Sequence, residues 1–127
     1  MRKMKKIPRL PESELAIMQI IWAAVPPVSR QDIEKAMEGS RHLASTTILT
    51  LLTRLAERGF LTVEKKGRVN YYSPRITERE YLAAASRNIL DRLYGGSLTN
   101  FAMALCDSGI KKEEIEELKE MLERGDL

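Results

Sequence analysis

Ala44-Ser-Thr-Thr-Ile-Leu-Thr-Leu-Leu-Thr-Arg-Leu-Ala-Glu-Arg-Gly59 runs directly into Phe60-Leu-Thr-Val-Glu64, Lys65-Lys-Gly-Arg68 and Val69-Asn-Tyr-Tyr-Ser73, and the hydrophobic period changes on the way. In the first part Ile48, Leu51, Leu52 and Leu55 fall at i, i+3, i+4 and i+7, the spacing of one apolar helix face. Gly59 suits the residue just past a helix end, where a left-handed backbone is wanted. Beyond it β-branched and aromatic residues take over. Residues 60–64 and 69–73 read as the two strands of a hairpin, 65–68 as its turn and Pro74 as its close.

Upstream, Leu10-Pro-Glu-Ser-Glu14 opens a helical pattern, with proline and acids in the first turn where the helix dipole favours them. Leu15, Met18, Ile21 and Trp22 recur at helical spacing until Val25-Pro-Pro27 stops them. Ser29 with Asp32 is a variant capping box for a short second helix through Ile33, Ala36 and Met37, stopped near Gly39. Three short helices followed by a hairpin is the order of a winged helix-turn-helix. Downstream, Thr77-Glu-Arg-Glu80 is a capping box for a helix of about 18 residues to Tyr94. Gly95-Gly96 ends it, Ser97 or Thr99 caps a fifth helix to Cys106, Asp107-Ser-Gly109 breaks that, and Lys111 to Arg124 forms a last helix before Gly125. The expected fold is mainly α with a small β-hairpin. Residues 1–9 form a basic flexible arm, 10–76 a winged helix-turn-helix DNA-binding domain and 77–127 a helical dimerisation domain.

Charge follows the same division. Residues 1–76 carry a balance of +7 and residues 77–127 a balance of −4, within a net charge of +3. A basic front and an acidic back suggest a polyanion-binding part joined to a part with another task. At 127 residues, 43% hydrophobic and 31% charged, the chain suits a globular protein rather than a disordered one. No apolar run approaches the roughly 20 residues of a membrane span. The basic start Met1-Arg-Lys-Met-Lys-Lys6 leads into Ile7-Pro8-Arg9 and not into an apolar segment, so no secretory signal and no membrane insertion are expected. Cys106 and His42 are the single cysteine and histidine. They leave no disulfide, no metal site and no cofactor to expect, and a cytoplasmic setting follows. Cys106, in the apolar run Ala102-Met-Ala-Leu-Cys106, reads as a small buried hydrophobe and not as a nucleophile. With no glycine-rich phosphate loop after a strand either, the chain does not read as an enzyme.

With the apolar face of the third helix fixed, Thr46, Thr50, Thr53 and Glu57 point directly away from it, and Thr47, Leu49 and Arg54 lie on the flanks. Threonine hydroxyls can bond base edges and phosphates, and their methyls can meet thymine methyls. The plain alternative is a solvated face rich in threonine. Leu49 is out of place in water, so it packs on another segment or reaches a thymine methyl. Lys65, Lys66 and Arg68 at the hairpin tip suit phosphate contacts or a minor groove, against the alternative of solubility alone. Tyr71 and Tyr72 alternate, one toward the core and one outward. With Arg41 and His42 as phosphate contacts, the expected DNA-binding residues are Arg41, His42, Ser45, Thr46, Thr47, Leu49, Thr50, Thr53, Arg54, Lys65, Lys66, Arg68, Asn70 and Tyr72, and the partner is double-stranded operator DNA. The last three helices carry narrow apolar seams that need covering. A homodimer through Leu82, Ala85, Ile89, Leu93, Phe101, Leu105, Ile115, Leu118, Met121 and Leu122 would cover them, the alternative being a monomer whose helices fold back.

Leu15-Ala-Ile-Met-Gln-Ile-Ile-Trp22, Thr46-Thr-Ile-Leu-Thr-Leu-Leu-Thr-Arg-Leu55, Gly59-Phe-Leu61, Lys66-Gly-Arg68 with Tyr72 and Pro74, Tyr94-Gly-Gly96 and Glu114-Ile-Glu-Glu-Leu118 together resemble the penicillinase and methicillin-resistance repressors of the BlaI/MecI type and their copper-responsive relatives. The resemblance covers about Leu10 to Leu122. It implies a dimeric winged-helix repressor of operator dyads, with Thr46, Thr47, Thr50 and Arg54 on the recognition helix and Lys66 to Asn70 on the wing. In the antibiotic-responsive members a membrane sensor protease triggers cleavage within the dimer domain. The resemblance places that bond here at Asn100-Phe101 by dipeptide, or at Met103-Ala104 by alignment on Gly95-Gly96 and Glu114-Leu118. Two features depart from the family. The paired-cysteine metal hook of the copper-responsive members is missing, and residues 43–53 hold no Lys or Arg where a basic residue near position 49 is usual. The operator read is therefore expected to differ. The competing reading is a winged-helix protein-interaction or ligand-sensing module without sequence-specific DNA binding.

Overall fold

The computed structural model describes residues 6–40 and 43–125. Pro11 begins the first helix, α1 (Glu12–Ala23), whose inward side buries Ile17, Met18 and Ile21 together with Glu14, while Leu15 and Trp22 sit at the edge of the core. Strand β1 (Val28–Ser29) leads into α2 (Arg30–Ala36). The Ser29 capping box forms as its spacing predicts. The Asp32 N–H donates to Ser29 Oγ at 3.2 Å, and the Ser29 N–H donates to Asp32 Oδ2 at 2.9 Å. In α3 (Ser45–Glu57) the predicted positions Ile48, Leu51, Leu52 and Leu55 are all buried. Each such side chain contributes about 1.5–3 kcal/mol on leaving water, so the amphipathic pattern alone fixes which side of α3 faces in.

The exit of α3 is closed by two backbone hydrogen bonds. The Phe60 N–H donates to the Leu55 carbonyl at 2.9 Å, and the Gly59 N–H to that of Ala56 at 3.1 Å. With Gly59 at φ +82°, this is a Schellman closure, and it delivers Phe60 into the core with no exposed surface. Strands β2 (Leu61–Lys66) and β3 (Val69–Pro74) then pair antiparallel, Lys66 opposite Val69 and Leu61 opposite Pro74. The turn is tighter than the expected 65–68. Only Gly67 and Arg68 lie outside the ladder, Gly67 taking φ +66° and Arg68 a negative φ, the pattern of a II′ turn. Strand β1, too short to announce itself in the sequence, adds to β3 and gives the order β1-β3-β2. The three helices and this sheet form a winged helix-turn-helix.

The register settles the tyrosines and corrects one expectation. Tyr72 stands opposite both Val28 and Val63 and is 3% exposed, so it belongs to the core and not to the DNA-binding residues. Tyr71 takes the outward side. The contacts divide the chain into two compact units between Ala85 and Ser86, inside α4 (Glu78–Tyr94), whereas composition and motif put the break at 76/77. The first turns of α4 stay with the core because Tyr81 is buried there. Its hydroxyl accepts the Leu10 N–H at 3.0 Å, and its ring packs near Trp22 and Phe60. Ala85 packs on the same core, so it covers this unit rather than belonging to a free seam. The expected arm of residues 1–9 does not reach as far as residue 7. Ile7 packs on the core and Leu10 is buried in it, while residues 1–5 lie outside the described residues.

The second unit continues α4 and adds α5 (Leu98–Asp107) and α6 (Lys112–Arg124). Ser97, rather than Thr99, caps α5, accepting the Asn100 N–H at 3.1 Å. The Tyr94 and Phe101 rings meet at 5.2 Å. Among its described residues none is buried, and Cys106, expected inside, is exposed. The apolar run around Cys106 winds once round a short helix, so that Ala104 and Leu105 are half-buried while Ala102, Met103 and Cys106 face out. Among the described residues no helix is long and apolar enough to cross a membrane.

Among the described residues of the first unit one charged side chain is buried. Glu14 is 1% exposed, its Oε2 is 2.8 Å from Arg58 Nη1 at the end of α3, and its Oε1 makes no hydrogen bond. Arg58, half exposed, is the group that keeps this carboxylate tolerable. Arg58→Met alone should lower stability by about 1–3 kcal/mol, less than for a wholly buried pair because Arg58 reaches solvent. Adding Glu14→Met should recover most of the loss. Urea midpoints of the single and double variants check this, and equal midpoints for wild type and Arg58→Met would show that the pair does not matter.

Candidate nucleic-acid interface

The face of α3 turned from the core carries Thr46, Thr47, Leu49, Thr50, Thr53 and Arg54, all exposed. They lie there because burying Ile48, Leu51, Leu52 and Leu55 leaves the helix no other orientation. Two of the threonine hydroxyls are already engaged. Thr50 Oγ1 donates to the Thr46 carbonyl at 3.0 Å, and Thr53 Oγ1 to the Leu49 carbonyl at 2.9 Å. Their oxygens remain acceptors, but their protons are spent on the helix. Ser45, in the first turn, is also engaged, its hydroxyl donating to Glu34 Oε1 of α2, the same oxygen that accepts from Arg30 Nη1 at 2.8 Å. Ser45 therefore ties α2 to the start of α3.

The wing supplies the cations. Lys65, Lys66 and Arg68 are all exposed at its tip. The ladder sets them apart. Lys66 shares a face with Tyr71, and its Nζ lies 5.8 Å from the centre of that ring, whereas Lys65 and Asn70 pair on the other face. Cations on both faces of a two-stranded ribbon suit a tip that enters between two phosphate backbones better than one that lies flat. Between α3 and the wing lies a recess of about 250 Å³ lined by Leu49, Arg68, Val69 and Asn70 and by the start of α2.

Of the residues expected from sequence, the structure brings Thr46, Thr47, Leu49, Thr50, Thr53 and Arg54 together on one helix face, and Lys65, Lys66, Arg68 and Asn70 on the adjoining wing. Tyr72 is withdrawn into the core, and Arg41 and His42 fall outside the described residues. Arg30 and Gln31 were missed. They line the recess from the amino-terminal end of α2, and the one signal for them was their place directly after the Ser29 cap. Among the described residues no cluster of His, Cys, Asp or Glu could hold a metal ion.

Residues 10–124 match the family model described as penicillinase repressor. A penicillinase repressor of Bacillus licheniformis is 34% identical over 121 residues, covering 94% of each chain. The methicillin resistance regulatory protein MecI of Mammaliicoccus sciuri is 26% identical over 113 residues, 88% of this chain and 91% of its own. Among solved structures, the Bacillus licheniformis BlaI monomeric form in complex with the blaP half-operator matches at a TM-score of 0.51 and 36% identity, covering 61% of this chain and 94% of its own. With its family model spanning nearly the whole sequence, this chain belongs to the penicillinase repressor family.

Proposed function

We propose that this protein is a dimeric transcriptional repressor whose α3 enters the major groove of an operator half-site while the wing engages the flanking phosphates. One observation carries the reading. The exposed threonine face of α3 adjoins a cationic wing in a unit resembling that of a relative solved on its half-operator. Phosphate contacts from Lys65, Lys66 and Arg68 position the domain and supply the salt-dependent part of the affinity. Thr46, Thr47 and Thr50 supply the sequence-dependent part, and Arg54, further along the same helix face, adds a cation toward the backbone. Repression is steric exclusion of polymerase from the promoter, in a cytoplasmic setting.

The second unit supports the dimer. Leu93 is 71% exposed, Leu98 68% and Leu122 53%, and Ile115 and Leu118 stand with Leu122 on one side of α6. Such a surface is costly in water unless a second copy covers it. A two-fold homodimer matches an operator dyad whose half-sites lie one DNA turn, about 34–36 Å, or a multiple of it apart. Both bonds marked for cleavage by a membrane sensor protease, Asn100-Phe101 and Met103-Ala104, lie in α5. Cutting there would divide the helix that the dimer needs and release the operator.

Arg68→Ala should weaken operator and scrambled duplexes alike and reduce the slope of log affinity against log salt by about one. Titrations at several salt concentrations measure both quantities. An unchanged slope would remove Arg68 from the phosphate contacts, and equal, weak binding of the wild type to every duplex selected would remove the repressor reading.

Leu118→Asp should give a monomer by sedimentation while leaving the first unit folded. It should also lose roughly a hundredfold in affinity for a full dyad, because the two half-sites are no longer coupled. A variant that stays dimeric would place the dimer surface elsewhere.

A further inference from the structure

We infer that the recognition face of α3 reads thymine methyl groups, with Leu49 as the specificity-determining residue. The inference rests on the operator-binding reading above and specifies what that site recognises. It begins with what α3 lacks. The side chains that pair bidentately with bases are Arg or Lys for guanine and Asn or Gln for adenine, and Asp or Glu accept from cytosine. None of these occurs between Leu43 and Thr53, the part of α3 and its approach that would meet base edges.

The hydroxyls that remain are partly committed. Thr50 and Thr53 donate their protons back to the helix, so what they add to the outward surface is a methyl group and an acceptor oxygen. Beside them Leu49 leaves 44% of its surface in water, although every other leucine of α3 is buried. It borders the recess shared with the wing, where the Tyr72 ring continues the apolar floor and Arg30, Gln31, Arg68 and Asn70 form a polar rim. An apolar patch rimmed by two arginines fits the major-groove edge of an A·T pair. The thymine C5-methyl fills the patch while the flanking phosphates meet the cations. A cytosine at that position offers only a C5–H and leaves Leu49 without its methyl contact, and a guanine sets its polar N7 and O6 against Leu49.

The test uses the full chain and duplexes selected by it from a random pool. Each thymidine of the best duplex is replaced, one at a time, by deoxyuridine, which removes only the methyl group. At one or two positions per half-site the wild type should lose about fourfold in affinity, the contribution of one buried methyl, and the losses in the two half-sites should multiply. Leu49→Ala should bind the thymidine and deoxyuridine duplexes equally at one such position, and Thr50→Ser, which keeps the hydroxyl and removes the methyl, should do so at a neighbouring one. Both residues are exposed, so both variants should keep the wild-type unfolding midpoint. Methyl losses that persist unchanged in Leu49→Ala and Thr50→Ser overturn the inference, as does a selected duplex with no methyl-sensitive position. A pool that yields no enriched duplex overturns the operator reading itself.

Discussion

The two hydrogen bonds that close α3 at Leu55 and Ala56 are the constraint on which the rest of the first unit depends. They reverse the chain through Gly59 and place Phe60 in the core between the helices and the sheet. The Phe60 carbonyl then accepts the Arg75 N–H at 2.8 Å, so the two ends of the hairpin are pinned at one residue. The wing therefore leaves the core at an angle set by the end of the recognition helix. The helix face and the hairpin tip that we propose to grip one duplex are thereby held in a fixed relation by backbone geometry.

The two units solve opposite problems. The first buries its apolar residues within one chain and leaves outward a surface of threonines and cations. The second buries nothing among its described residues and leaves outward a surface of leucines and acids. The first thus has a core of its own, and the exposed leucines of the second are what support the proposed dimer. The charge balance, +7 over residues 1–76 and −4 over 77–127, changes sign within ten residues of that division, so that one part attracts a polyanion and the other repels it.

Much of this was legible in the sequence wherever a period is long and its punctuation clear. The face of α3 followed from Ile48, Leu51, Leu52 and Leu55, and both capping boxes formed at Ser29 and Thr77. What was illegible depended on distant partners. Tyr72 and Tyr71 alternate, and only pairing with Val28 and Val63 decides which one turns inward. Glu14 reads as a helix-dipole acid until Arg58, far along the chain, is found beside it. The division inside α4 depends on Tyr81 reaching back to Leu10. An apolar neighbourhood in sequence is not burial for Cys106, because its own chain half-covers only Phe101, Ala104 and Leu105 of α5 and leaves Cys106 on the open side.

The central claim is that α3 and the wing form one DNA-binding surface. It is tested most directly by mapping backbone amide shifts of the isotopically labelled protein as a selected duplex is added. The account predicts that the largest shifts fall on Ser45 to Arg54 and on Lys65 to Asn70. The amides of Ile17, Met18 and Ile21, inside the core, should move little. Shifts concentrated instead on the groove between α1 and α2, around Ile20, Ala24 and Met37, with α3 unmoved, would contradict it.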